Sequence, residues 1–157
     1  LYYNQKNTGR PSSDEHVTFS GYTDSPKDAL YPFGFGLSYT TFEYGAPQLS
    51  AKEMNENETL EVRVSVKNTG NVTGKEIVQL YLRDMVSSTT RPVKELKAFE
   101  MIELAPGETK NVQFKVDEKM LQFYTANRKW ESEAGEFEIL TGSNSRDLKK
   151  STFSLNK

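Results

Sequence analysis

Between residues 60 and 67 the chain alternates strictly. Leu60, Val62, Val64 and Val66 are apolar, while Glu61, Arg63, Ser65 and Lys67 are polar. Side chains of an extended strand point alternately to opposite faces, so this pattern buries one face and wets the other. A helix would scatter the same residues around its axis. The chain must therefore build at least one half-buried sheet. Thr109–Val116 repeats the pattern, with Val112, Phe114 and Val116 inward and Gln113 and Lys115 outward. Glu76–Asp84 is denser in apolar residues and suits a central strand with Val78, Leu80 and Leu82 on one face.

Further strands are expected at Val93–Leu104, with Leu96, Phe99 and Ile102 as core, and at Phe123–Trp130. Others centre on Phe137 and Ile139 and on Leu148, Phe153 and Leu155. Between them stand turn formers: Asn68-Thr69-Gly70-Asn71, Ala105-Pro106-Gly107-Glu108 and Ala134-Gly135. Asp117 is placed to cap one helical turn through Leu121. About seven strands at intervals of roughly 8–12 residues predict an all-β fold, a two-sheet sandwich.

That sandwich accounts for residues 46–157. Residues 1–45 read differently. They hold no sustained period and are punctuated by Gly9-Arg10-Pro11, Ser25-Pro26, Pro32 and Gly34-Phe35-Gly36. Yet they carry ten of the chain's 18 aromatic residues. An irregular segment so rich in rings needs a surface to lie on, so we read it as a strap between two folded bodies. Its expected docking anchors are Tyr31, Phe33, Phe35, Tyr39 and Phe42. Gly34 and Gly36 are expected to let the strap bend closely over a packed surface. A phosphate-binding loop would need a third glycine and a strand–helix context.

Composition narrows the function. The chain has 20 basic and 22 acidic residues, a formal net charge of −2. This balance disfavours a nucleic-acid protein, which carries a basic face, and a polybasic membrane-surface binder. No run of 18 apolar residues occurs, so no membrane span is expected. There is no cysteine and a single histidine, His16, which removes thiolate chemistry and histidine-cluster metal sites. No cofactor or metal site is expected. The carboxylates sit mainly on outward strand positions and turns, as at Glu61, Glu76, Glu108 and Glu136. Asp14-Glu15-His16 is expected in a surface loop, because neighbours on an extended chain point apart. The opening Leu1-Tyr2-Tyr3 follows no basic-then-apolar leader and reads as cut from something longer.

One segment is far more specific. Leu30-Tyr31-Pro32-Phe33-Gly34-Phe35-Gly36-Leu37-Ser38-Tyr39-Thr40-Thr41-Phe42 resembles the junction that precedes the C-terminal fibronectin type III-like domain in glycoside hydrolase family 3. Tyr2-Tyr3-Asn4 and Thr8-Gly9-Arg10-Pro11 are similar to the end of that family's second domain. Val66-Lys67-Asn68-Thr69-Gly70, Val78-Gln79-Leu80-Tyr81, Arg91-Pro92-Val93-Lys94-Glu95-Leu96-Lys97-Ala98-Phe99 and Leu104-Ala105-Pro106-Gly107-Glu108 follow in family order. Ala98 stands where glycine is common. The resemblance covers essentially the whole chain and points to the β-glucosidase and β-xylosidase branches.

The resemblance implies an immunoglobulin-like, fibronectin type III-like sandwich that buttresses the catalytic domains of the same polypeptide. Those domains hold the two catalytic carboxylates, and no position here matches either motif. The chain alone is therefore expected to be no enzyme, with no catalytic residue. Its partners would be the catalytic domains and, indirectly, oligosaccharide; a periplasmic or secreted location is implied. In some relatives a loop of this domain approaches the substrate entrance, which singles out Thr90 and Arg91 in the Met85–Thr90 loop region. The alternative reading is a carbohydrate-binding module with exposed aromatics. Trp130, the only tryptophan, is the natural stacking residue for it, although core packing on a late strand is the expected fate of that ring.

Overall fold

The computed structural model describes Tyr3 and residues 29–157. Asp14, Glu15 and His16, with Tyr2, Phe19 and Tyr22 of the strap, lie outside the described residues. The fold is all-β and builds two packed sheets from the alternating segments.

The first sheet is organised around β4 (Thr59–Asn68), which pairs along one side with β7 (Thr109–Asp117). On its other side lie two short strands in succession, β1 (Phe42–Tyr44) and β2 (Gln48–Leu49). The second sheet runs β3 (Glu53–Asn55), β11 (Leu148–Asn156), β10 (Gly135–Gly142), β5 (Gly74–Asp84) and β6 (Glu95–Leu104). All its pairings are antiparallel except β3 with β11. One helical turn, α1 (Glu118–Leu121), follows β7, and a five-residue turn joins β8 (Phe123–Tyr124) to β9 (Trp130–Glu131) in a short hairpin. Because β1 belongs to the first sheet, the sandwich begins before the composition change at residue 46.

Register explains the core. Opposite β4, Leu60, Val62 and Val64 face Val116, Phe114 and Val112, and all six are buried. Across the gap Val78, Leu80, Leu82 and Ile139 come from β5 and β10. Phe137 and Phe153 are register partners whose rings stack at 5.5 Å. Each fully buried side chain of this size contributes about 1.5–3 kcal/mol through apolar burial. The Asp117 carboxylate caps α1 by accepting from the Met120 N–H at 3.1 Å, as its position in the sequence requires.

Two expectations need correction. The Phe123–Trp130 segment is not one strand. It folds back through a turn in which Thr125 N–H donates to the Lys129 carbonyl and Arg128 takes a φ of 60°. Trp130 is consequently 66% exposed rather than core. The second correction concerns β6. Pairing with β5 slips between Leu80 and Tyr81, so Ala98 faces Leu80 and Leu96 faces Tyr81 while Lys97 is bulged. The bulge resets the phase of the alternation, so Leu96 shares the outer face with Tyr81 and is not core. Ala98 and Ile102 pack inward, and Phe99, which alternates with them, is turned out and 67% exposed.

The two positions should respond differently to truncation. Leu80→Ala is expected to cost about 2–5 kcal/mol, because it removes a fully buried side chain and leaves a cavity. Phe99→Ser is expected to change stability of this chain by less than about 0.5 kcal/mol. Urea unfolding of the two variants checks both figures.

Candidate functional site

The outer face of the five-stranded sheet carries a built polar site. Val78, Leu80 and Leu82 of β5 point into the core, so Ile77, Gln79 and Tyr81 point away from it. Gln79 and Tyr81 are nevertheless buried, at 4% and 0% exposure, because the strap lies on them. The Gln79 amide donates to the Gly34 carbonyl at 3.2 Å and to the Ser143 carbonyl at 2.5 Å, and its oxygen accepts from the Tyr81 hydroxyl at 2.5 Å. One side chain thus joins the strap, the β10–β11 loop and the sheet.

The strap is shaped for this contact. Phe35 N–H donates to the Pro32 carbonyl at 3.0 Å, closing a turn in which Gly34 holds φ +78°. Any side chain there would collide with the Gln79 amide as well as strain the backbone. Gly36 differs from the expectation: a Cβ on it would meet nothing. Ser145 N–H donates to the Phe33 carbonyl at 2.8 Å, and Arg146 donates to the Ala29 carbonyl. Tyr3 stacks on Phe33 at 4.2 Å and stands edge-on to Tyr81 at 5.8 Å. Burial, with the neighbouring Tyr3 adding to it, pushes the Tyr81 phenol up to about 12.

Further along, buried Asn68 anchors the strap's exit. Its oxygen accepts from the Thr40 hydroxyl at 2.6 Å and from Gly70 N–H, while its amide donates to the Val72 and Leu104 carbonyls. Phe42 then enters β1 and packs against the sandwich's own core. Tyr44 of β1 donates to Glu76 of β5 at 2.6 Å, a hydrogen bond from one sheet to the other. Burial holds the Glu76 carboxyl above the ordinary glutamate range although the Tyr44 hydroxyl opposes the shift. Glu76 is therefore not the solvated residue expected from sequence. Of the anchors named above, Tyr31, Phe33, Phe35 and Tyr39 all keep exposed surface, and Tyr39 is fully exposed.

The end of the sandwich holds the second expected feature. Loop 85–93 lines an open cavity of about 460 Å³. Thr90 is exposed on it. Arg91 is not: its guanidinium pairs with Asp84 at 2.8 Å and Glu95 at 2.7 Å and lies 4.4 Å over the Phe123 ring. Burial raises the Asp84 carboxyl, and Arg91 offsets part of that rise. Ser88 binds Glu133 through both its N–H and its hydroxyl, tying the loop to the segment after β9. Tyr124 and Trp130 sit opposite each other on the β8–β9 hairpin, both largely exposed. Sequence reasoning missed Glu138, which is buried on β10 between Arg83 at 3.3 Å and Lys150 at 2.7 Å. Burial opposes its ionisation, but the two cations outweigh it and hold the carboxyl low. No local signal marks such a residue, because its partners come from other strands.

Residues 76–145 match the fibronectin type III-like domain family. The chain carries a fibronectin type III-like domain. Over its described residues it has the sandwich that the motifs implied. A periplasmic β-glucosidase of Salmonella typhimurium is 41% identical over 157 residues, which cover 99% of this chain and 20% of that protein. A putative β-xylosidase of Formosa agariphila is 47% identical over 137 residues, 87% of this chain and 18% of its own. The crystal structure of a β-glucosidase from Listeria innocua in complex with glucose superposes with a TM-score of 0.93 at 38% identity, over all of this chain and 22% of that one. The chain therefore spans about a fifth of the length of the curated relatives it matches. The fibronectin type III-like domain is a small part of each of these larger polypeptides.

Two measurements test the site. Gln79→Leu leaves the Tyr81 hydroxyl and the Gly34 and Ser143 carbonyls without their partner, and is expected to cost about 2–3 kcal/mol, against about 1 kcal/mol for Tyr81→Phe. A Gln79→Leu cost below about 0.5 kcal/mol in urea unfolding would show that the strap is held by something else. For Glu76, a folded-state pKa above the unfolded value means that the folded chain binds the proton more tightly. Stability should thus fall as pH rises from the ordinary glutamate range through the folded value. Glu76→Gln should remove this fall, so the variant gains on the parent as pH rises and the two converge in acid.

Proposed function

We propose that this chain is a non-catalytic accessory part of a β-glucosidase- or β-xylosidase-type hydrolase. The fibronectin type III-like domain stabilises the catalytic domains of the same polypeptide, and the residues before β1 are the strap that leads from the preceding domain. The carrying observation is the division of labour within the strap. Its backbone at Phe33 and Gly34 is bonded to the β10–β11 loop and to the Gln79 side chain, while Tyr31, Phe35, Leu37 and Tyr39 turn apolar surface outward. Rings held rigidly by a fixed backbone but left open lose little entropy on meeting a partner, and exposed apolar patches of this kind mark interfaces.

Loop 85–93 contributes rigidity at the sandwich end and borders the substrate entrance through Thr90, with Arg91 acting as its internal anchor. Oligosaccharide is then an indirect partner. A periplasmic or secreted location follows the Salmonella relative, whose name places it in the periplasm. No nucleic acid or membrane partner enters this reading, given the balanced charge.

A second reading is favoured by the Tyr124–Trp130 pair. Two exposed rings opposite each other on a short hairpin make a surface on which a pyranose can stack, as in a carbohydrate-binding module. Calorimetric titration of the chain with cello- and xylo-oligosaccharides separates the two. Flat heats at millimolar sugar leave the accessory reading; saturable heats lost in Trp130→Ala favour the module. On the accessory reading the isolated chain is expected to leave a nitrophenyl β-glucoside intact. Turnover that disappears when one of its own carboxylates is replaced would sink that reading.

A further inference from the structure

Among the described residues, the strap covers only part of the outer sheet face, and its contacts there reach Gln79, Tyr81 and Leu96. One rung on, register places Phe99 beside Gln79, and Ile77 directly opposite Met101. All three side chains point away from the core, and Phe99, Met101 and Ile77 are 67%, 61% and 47% exposed. The exposed Lys75–Glu103 ion pair closes the row at the next rung. Three large apolar side chains in adjacent register positions are not scattered surface residues, which need no explanation. They form a patch, continuous with the face on which the strap lies.

We propose that Phe99, Met101 and Ile77 are a docking surface for the polypeptide body that precedes the strap, a second contact beside the strap itself. The inference rests on the accessory reading above. Tyr3 identifies the occupant. Its ring lies on Phe33 and Tyr81, and its hydroxyl accepts from Leu96 N–H at 3.4 Å, so the N-terminal end of the strap is held on this same face. The β-glucosidase and β-xylosidase relatives are about five times as long as this chain. At about 3.4 Å per residue, Phe99 and the Ile77–Met101 rung lie roughly 7–14 Å from Tyr81 along the strands. A body tethered so close faces the row at an effective concentration in the millimolar range, ahead of any free competitor. The chemistry of the row requires an apolar, uncharged surface on that body.

The test uses the complete polypeptide that contains this chain, with Phe99→Glu and Met101→Glu together, followed by scanning calorimetry. The unsubstituted polypeptide is expected to melt with the sandwich and the body in one transition. The double variant is expected to lose that single transition, the sandwich then melting at the temperature of the free chain. The same double variant in the free chain should keep its urea midpoint, which rules out misfolding as the cause. Three results would overturn the inference: a sandwich that already melts separately in the unsubstituted polypeptide, a double variant that keeps the single transition, or a free chain that sediments as a dimer dissociated by the double variant. A Tyr31→Ser, Phe35→Ser variant distinguishes the two levels. If it uncouples melting while the double variant does not, the row fails and the accessory reading stands. If deleting residues 29–157 leaves the body's melting unchanged, the accessory reading itself fails.

Discussion

Strand β5 is covered on both faces from Val78 to Leu82, and most of the molecule is arranged around that fact. Its inward residues Val78, Leu80 and Leu82 join the common core of the two sheets. Its outward residues Gln79 and Tyr81 are just as buried, but they are polar. A buried amide and phenol must find hydrogen-bond partners, since each unpaired group costs about 1–3 kcal/mol. The partners come from the strap at Gly34 and from the β10–β11 loop at Ser143, with Tyr81 and Gln79 satisfying each other. An irregular segment with no periodicity of its own is thereby given a defined path.

Electrostatics at the two ends of the sandwich follow the same logic. Arg91 gathers Asp84, Glu95 and the face of Phe123 in one place, so a loop without regular structure is held by a charge that is fully engaged. Glu138 is buried but ionised because Arg83 and Lys150 flank it from neighbouring strands. Glu76 is the opposite case. Its only hydrogen-bonding partner among the described residues is the neutral Tyr44 hydroxyl, which does not outweigh the cost of burial. None of these arrangements is a paired set of carboxylates open to a substrate. They tie strands, loops and strap together, which suits a part whose proposed work is mechanical.

The long strands were readable because one physical rule governs them: a half-buried strand alternates. β4, β5, β7, β10 and β11 and the cap at Asp117 all sit where alternation and turn chemistry put them. Reading failed where a neighbour broke the rule. In β6 a single bulged residue, Lys97, inverted the phase and put Leu96 on the outer face with Tyr81, while Phe99 alternates with Ala98 and Ile102 and so faces outward. In the Phe123–Trp130 segment, a left-handed Arg128 and a backbone bond between Thr125 and Lys129 turned an expected strand into a hairpin. Of the site, the strap's aromatic content gave only the expectation of a docking element. Which rings face the sheet and which face away was not visible, because that depends on where Gln79 and Ser143 stand.

Sequence by itself determined the fold class and the long strands of the core. These follow from local chemistry: side-chain period, turn residues, caps and composition. Only the tertiary structure decided that Gln79 would be the strap's anchor, that Arg91 would be internal and that Phe99 and Trp130 would be exposed. Gln79 and Phe99 depend on contacts or register between distant strands, and Arg91 and Trp130 on how a loop and a turn fold back on their neighbours; neither is fixed by side-chain period or turn composition.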